Sequence, residues 1–165
     1  IIQIWDKDVG CGLLDPKQGS GSYSRDLKVI KLSTTILVVS DGSDVYCPGA
    51  AYPDEGISQR FIDLKKDQEV NMEDLLTGKA RTDLLKKLSA LGKATRSRDD
   101  GCAQAYEMDS LLATPLEFSY EENGLAIEPS FIHAIQACTK TLHINKTEAV
   151  QLLQKSPFVE TLFEP

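Results

Sequence analysis

The sequence predicts an α+β fold: a mainly antiparallel sheet with a few short helices packed on it, stapled by disulfides. Three observations carry this. β-rich runs punctuated by turn residues dominate residues 27 to 76 and 115 to 144, a leucine stripe at helical spacing separates them, and four cysteines are scattered along the 165 residues. Strands and helices segregate instead of alternating strictly, which argues against a parallel βαβ architecture.

"IIQIW" opens the chain with β-favouring residues, and "KQGSGSYS" (17 to 24) reads as a polar loop. "LKVIKLSTTILVV" (27 to 39) reads as two β segments joined near Ser33-Thr34 or as one long bent strand, ended by the turn residues of "SDGSD" (40 to 44). "ISQRFIDL" (57 to 64) favours a strand and "KKDQ" a turn. In "EVNMEDLL" (69 to 76) a short strand precedes Asn71, the expected N-cap of a helical turn whose first residues are acidic, as the helix dipole prefers. "TGKARTDLLKKLSALGK" (77 to 93) is a helix: Leu84, Leu85, Leu88 and Leu91 form one stripe, read as core packing, and Gly92 can stop it.

"DDGCAQAYEM" (99 to 108) predicts another short helix. Pro115 starts a hairpin of "PLEFSY", the turn "EENG" and "LAIEPS", with Asn-Gly at the turn. "FIHAIQACTKTLHI" (131 to 144) reads as a β-rich return. "NKTEAVQLLQK" (145 to 155) reads as a closing helix capped by Asn145 or Thr147, and capping is favoured over use of Asn145 as a glycosylation acceptor. All 165 residues are expected to form a single domain, because a chain of this length can bury a substantial core.

Composition narrows function. A net charge of −7 argues against nucleic-acid binding, which needs clustered Lys and Arg, and steers the chain towards a basic partner. The one basic cluster, Lys93 to Arg98, runs into Asp99-Asp100 and reads as a solvated connector. No apolar run approaches the roughly 20 residues that span a bilayer. The first residues, Ile1-Ile2, include no methionine, which is read as removal of an upstream segment, with a signal peptide as one candidate.

Cys11, Cys47, Cys102 and Cys138 make no CxxC, so neither a zinc knuckle nor a thioredoxin-type site fits, and two structural disulfides are expected. Pairing 11–47 with 102–138 closes two loops of equal separation, each contributing up to roughly 4 kcal/mol in the chain-entropy model. The other two connectivities stay open. Such bridges imply an oxidising compartment, periplasmic or extracellular.

Catalytic constellations are not visible. There is no GxSxG, "GCGLLD" (10 to 15) lacks the third glycine of a dinucleotide fingerprint, and neighbouring acids such as Asp54-Glu55 do not naturally face one site. His133 and His143 have no ligand partners at metal spacing and read as structural or surface residues. No cofactor, metal or catalytic residue is therefore assigned.

The most specific stretch is residues 45 to 76, where Cys47 and the turn Gly49-Ala50-Ala51-Tyr52-Pro53 precede a strand ending in Asp63-Leu64, a polar turn and Met72 to Leu76. This order resembles the extracytoplasmic domains shared by the lysozyme-sensing anti-sigma factor and some peptidoglycan deacetylases, in which a Gly-Gly-Ala-His or Gly-Gly-Ala-Tyr turn leads into the same pattern. "EFSYEENGLAIEPSFIHAIQAC" is similar to a later hairpin of that family. The likeness covers about residues 27 to 155, leaving an N-terminal arm of 1 to 26. Here Pro48-Gly49 replaces the double glycine, and the turn carries an additional alanine.

The resemblance implies extracytoplasmic binding near peptidoglycan chemistry, and it places Cys138 in the same sheet as the corner after Cys47. The expected function is a non-enzymatic periplasmic or secreted protein-binding module. One form of it is an inhibitor of, or immunity protein against, a cell-wall-targeting hydrolase or toxin, with a basic muramidase or toxin as partner. Tyr46, Tyr52, Asp54 and Glu55 are the candidate contacts, with Asp54-Glu55-Gly56 completing an exposed loop after the turn. The alternatives are a structural envelope domain and an accessory domain or enzyme acting on peptidoglycan or polysaccharide, using Asp54, Glu55 or His133.

Overall fold

The computed structural model describes residues 22–47, 54–94 and 100–164. It is α+β, as expected, but with two antiparallel sheets in place of one. The first is a meander of β1 (Ser22–Leu32), β2 (Ile36–Tyr46), β3 (Asp54–Asp63) and β4 (Gln68–Val70), in that order. The second is β5 (Leu116–Glu121), β6 (Gly124–Pro129) and β7 (Leu142–Asn145). Helices α1 (Gly78–Ala94), α2 (Asp100–Ala105), α3 (Met108–Leu112), α4 (Lys146–Leu152) and α5 (Pro157–Leu162) complete the described chain, with 3-10 turns at Met72–Leu75 and His133–Cys138.

Local chemistry explains most boundaries. The Ser33 hydroxyl accepts from the amides of Thr35 and Ile36 and closes the β1–β2 turn where a break was expected. At the β3–β4 turn the Asp63 carboxylate accepts from the amides of Lys65 and Lys66, and Asp67 takes a left-handed φ of 52°, which a short polar side chain tolerates. The Asn71 side chain accepts from Glu73 N, and Asn145 caps α4 by accepting from Glu148 N, so both sequence-assigned caps are present.

Four expectations are corrected. "SDGSD" does not end β2: residues 40–44 lie inside it, paired to β1 on one side and β3 on the other. A middle strand satisfies its backbone on both edges, and that outweighs local turn preference. Asp54, Glu55 and Gly56 likewise are not loop but the start of β3, opposite Val45, Asp44 and Ser43. In the "β-rich" return, residues 133–138 form a 3-10 turn and only Leu142–Asn145 is strand, so Cys138 lies outside either sheet and no single strand joins His133 to His143. Gly92 does not stop α1, which continues to Ala94.

The β5–β6 hairpin turns at Glu122-Asn123, with Glu121 opposite Gly124. The glycine therefore belongs to β6, where a Cβ would collide with the Ile144 carbonyl of the neighbouring β7. Helix α5 has no counterpart in the sequence reading, although Ser156-Pro157 announces it: Ser156 accepts from Val159 N and proline occupies the first turn.

One apolar cluster joins the two sheets. Ile36, Val38 and Phe61 of the first sheet meet Leu84, Leu85 and Leu88 of α1, Leu125 and Ile127 of β6, and Phe158 and Leu162 of α5. The predicted stripe is the buried face of α1, with Leu91 only half-buried. Glu73 stitches the layers: one carboxylate oxygen accepts from Arg81 at 2.8 and 3.0 Å, and the other from Leu116 N at 3.2 Å. The Gln59 side chain ties β3 to β5 by accepting from Tyr120 N at 2.8 Å.

Cys102 and Cys138 form a disulfide, tying α2 to the second 3-10 turn. Cys47 is also disulfide-bonded; its expected partner Cys11 lies outside the described residues.

Candidate binding face

The first sheet has two unlike faces. Because opposite residues in an antiparallel ladder share a face and alternate along the strand, Ile36, Val38 and Phe61 point into the core, and their neighbours Leu37, Val39 and Ile62 point away from it. Leu32 lies opposite Leu37, Val29 opposite Val39, and Leu27 opposite Asp41. A bulge between Val29 and Lys31 keeps β1 in step: Ile30 packs against the core while Leu27, Val29 and Leu32 stay on the outer face. These three are 47%, 57% and 67% exposed, an apolar surface on the side of the sheet away from the core.

A ladder of charge crosses the same face. Arg25 donates from Nε and Nη2 to the two Asp41 carboxylate oxygens at 2.7 and 2.5 Å. Arg60 stands 4.0 Å from Asp41 and donates to Glu69 at 2.6 Å. The hydrogen bonds from Arg25 hold the Asp41 carboxyl below its ordinary value, and those from Arg60 do the same for Glu69, so both are firmly ionised at neutral pH. The Arg60 guanidinium is raised in turn by its bonds to Glu69.

Beyond the ladder, β1–β3 run past the core: none of residues 23–29, 40–46 and 55–60 is fully buried. There a cleft of about 450 Å³ opens; it takes in the Arg25–Asp41 pair and is lined also by Tyr23, Ser43, residues 55–58, Glu117 and Gln136.

Of the candidate contacts, Glu55 is exposed and lines this cleft, and Tyr46 is exposed at the end of β2. Tyr52 and the side chains of Asp54 and His133 lie outside the described residues. His143 pairs its Nδ1 with the Glu121 carboxylate at 3.0 Å on the second sheet, remote in the chain from Glu55. Among the described residues no cluster of three His, Cys, Asp or Glu could hold a metal ion, and no helix is long and apolar enough to cross a membrane.

Sequence reasoning missed Tyr23, Arg25, Asp41, Glu117 and Gln136 as site residues. Only the in-strand pairing of "SDGSD" with "SYSRD" brings Asp41 to Arg25, and the first sign of it is the opposite charge across a possible hairpin.

No family model matches the chain, and no curated protein does. Among solved structures it is similar to a DUF3298 family protein from Bacteroides fragilis, with 19% identity, a TM-score of 0.59, and coverage of 87% of this chain and 58% of that one. A DUF3298 family protein from Pseudomonas aeruginosa PAO1 also matches, at 13% identity and TM-score 0.49, covering 84% of this chain and 64% of that one. The chain shares its fold with the DUF3298 family protein from Bacteroides fragilis, and it spans less than two thirds of either neighbour.

Proposed function

We propose that this chain is a non-enzymatic extracytoplasmic module that docks a basic protein on the outer face of its first sheet. The observation that carries the reading is the apolar surface of Leu27, Val29 and Leu32, rimmed by the Arg25–Asp41–Arg60–Glu69 ladder on the face the core does not use. Exposed apolar surface with a polar rim marks interaction sites, protein docking among them. The net charge of −7 supports a basic partner, and the disulfide supports an oxidising compartment, periplasmic or extracellular. With the resemblance to the lysozyme-sensing anti-sigma and deacetylase domains, these features favour an inhibitor of, or immunity protein against, a cell-wall hydrolase or secreted toxin, such as a basic muramidase.

The test is titration of the purified chain against basic muramidases and toxins by calorimetry. Binding at micromolar concentration or tighter is expected. Val29→Asp and Leu32→Asp should each weaken it at least about tenfold, while unfolding stays within about 0.5 kcal/mol of the parent because both side chains are exposed. Absence of binding removes the reading, and binding indifferent to both substitutions moves the docking face elsewhere.

A further inference from the structure

We propose that this chain self-associates through the edge of β1, which pairs antiparallel with β1 of a second copy, Leu27 opposite Leu27, and so joins two first sheets into one. This contact uses the strand's edge and does not depend on docking at the outer face.

β1 is the end strand of its sheet, with β2 on one side and, among the described residues, no strand on the other. Which backbone groups it turns outward follows from β2. The Ile36 carbonyl accepts from Ser33 N on the β1 side, and the Thr35 carbonyl accepts from Leu64 N on the β3 side. Alternation along β2 therefore turns Ser40, Gly42 and Asp44 towards β1, where they bond Lys28, Asp26 and Ser24. Arg25, Leu27 and Val29 stand between those pairs, so their N–H and C=O groups point out from the edge. Residues 26–29 are all exposed, and such a row is a template for another strand.

Charge selects both the occupant and the register. Asp26 and Lys28 are exposed, and among the described residues neither has an ion-pair partner. With Leu27 on a two-fold axis, Asp26 of each copy stands opposite Lys28 of the other. Neighbouring registers lose this match: centring on Asp26 sets aspartate against aspartate, centring on Lys28 sets lysine against lysine, and centring on Arg25 sets arginine against arginine. Like charges directly opposite are destabilising. Beyond Val29 the bulge interrupts the ladder. Lysine commonly protects an edge from pairing, but here a second copy supplies its carboxylate.

The outer face accepts the same register. Arg25 comes opposite Val29 of the second copy, and its stem can cover that side chain while Asp41 holds the guanidinium. The net charge of −7 on each copy opposes association. Charges farther apart than about 8 Å are screened at physiological ionic strength, whereas opposed side chains lie about 5 Å apart at Cβ. Exposed ion pairs add little affinity, and a single strand edge buries less than the roughly 1,200 Å² of a standard interface. The dimer is therefore weak, with a Kd of roughly 10–100 µM.

Sedimentation equilibrium of the whole chain, from about 5 µM to 1 mM at physiological salt, should show monomer and dimer exchanging with that Kd. Asp26→Lys and Lys28→Asp should each weaken self-association at least about tenfold, because the two-fold axis makes each substitution count twice. Mixing those two variants sets unlike charges opposite again, so the mixture should associate within about threefold of the parent, as should the double variant Asp26→Lys, Lys28→Asp. Thermal melts of each variant confirm that it folds. A parent that stays monomeric at about 1 mM overturns the proposal. So does association that neither single substitution weakens, and so does a mixture that associates no better than its components. A monomeric parent whose Leu27 and Val29 amide resonances move with an arginine-rich peptide also overturns it, and gives the edge to a strand of a basic partner.

Discussion

Gly92, inside α1, lies against the face of the Tyr106 ring so closely that any Cβ at position 92 would fall within the ring's own volume. Tyr106 is 1% exposed, meets Phe131 edge-on at a centroid distance of 5.3 Å, and donates its hydroxyl to the Cys138 carbonyl at 3.1 Å. Burial raises its phenol above the ordinary value, so it stays protonated as this donor at neutral pH. The helix therefore runs through its glycine because the ring needs the space.

Gly92→Ala sets two effects against each other. Alanine improves helix propensity by about 1 kcal/mol, whereas overpacking a rigid core costs about 1–3 kcal/mol or more. The ring is held on three sides and cannot retreat, so overpacking wins and the variant is less stable. Urea unfolding checks this, and a gain in midpoint would show that the ring can move.

Loss of the Cys102–Cys138 bridge should cost roughly 2–5 kcal/mol, as for native disulfides in small secreted domains. It closes a separation of 36 residues and anchors the turn that receives the Tyr106 hydroxyl. Denaturant unfolding of the double Cys102→Ala, Cys138→Ala variant measures it. Mass spectrometry of the unreduced parent should recover peptides linked through 102 and 138, and a different linkage would refute the pairing.

Asp41 and Glu69 set the acid limb of stability. Both carboxyls are held below their ordinary values by arginine bonds in the folded state. Their contribution is present above the unfolded values, near 4, and is lost as pH falls through the folded ones. Stability should change little between about pH 7 and 5 and drop below about 4. Asp41→Asn should flatten that drop, and urea midpoints across this range supply the comparison. The exposure of Glu69 leaves Asp41 the larger share.

Elements specified by near neighbours were legible in the sequence. The leucines of α1, the Asn71 and Asn145 caps and the hairpin after Pro115 each rest on contacts within a few residues or on one face of one element. Ser156-Pro157 belongs with them, since the cap signal of α5 stands in the chain even though the helix was not read from it. Cys102–Cys138 was one of three open connectivities, and only the position of α2 beside the 3-10 turn selects it.

Tertiary structure decided the rest. "SDGSD" carries turn residues, yet pairing on both edges makes it strand, and Asp41 becomes tolerable there only because Arg25 and Arg60 arrive from the neighbouring strands. Residues 133–138 sit between the β-favouring Phe131-Ile132 and Leu142 to Ile144, but of the six only Ile135 is β-branched, and the disulfide and the Tyr106 hydroxyl anchor the end of the 3-10 turn they form. By itself the sequence determined that Leu27, Val29 and Leu32 lie in a β-rich segment and that the chain is acidic. Which side of that strand meets water depends on a one-residue bulge and on which face the helices cover, and the cleft exists only where β1–β3 outrun the core beside Glu117 and Gln136. Strand patterning encodes two faces with a period of two, but the choice between them is made by long-range packing.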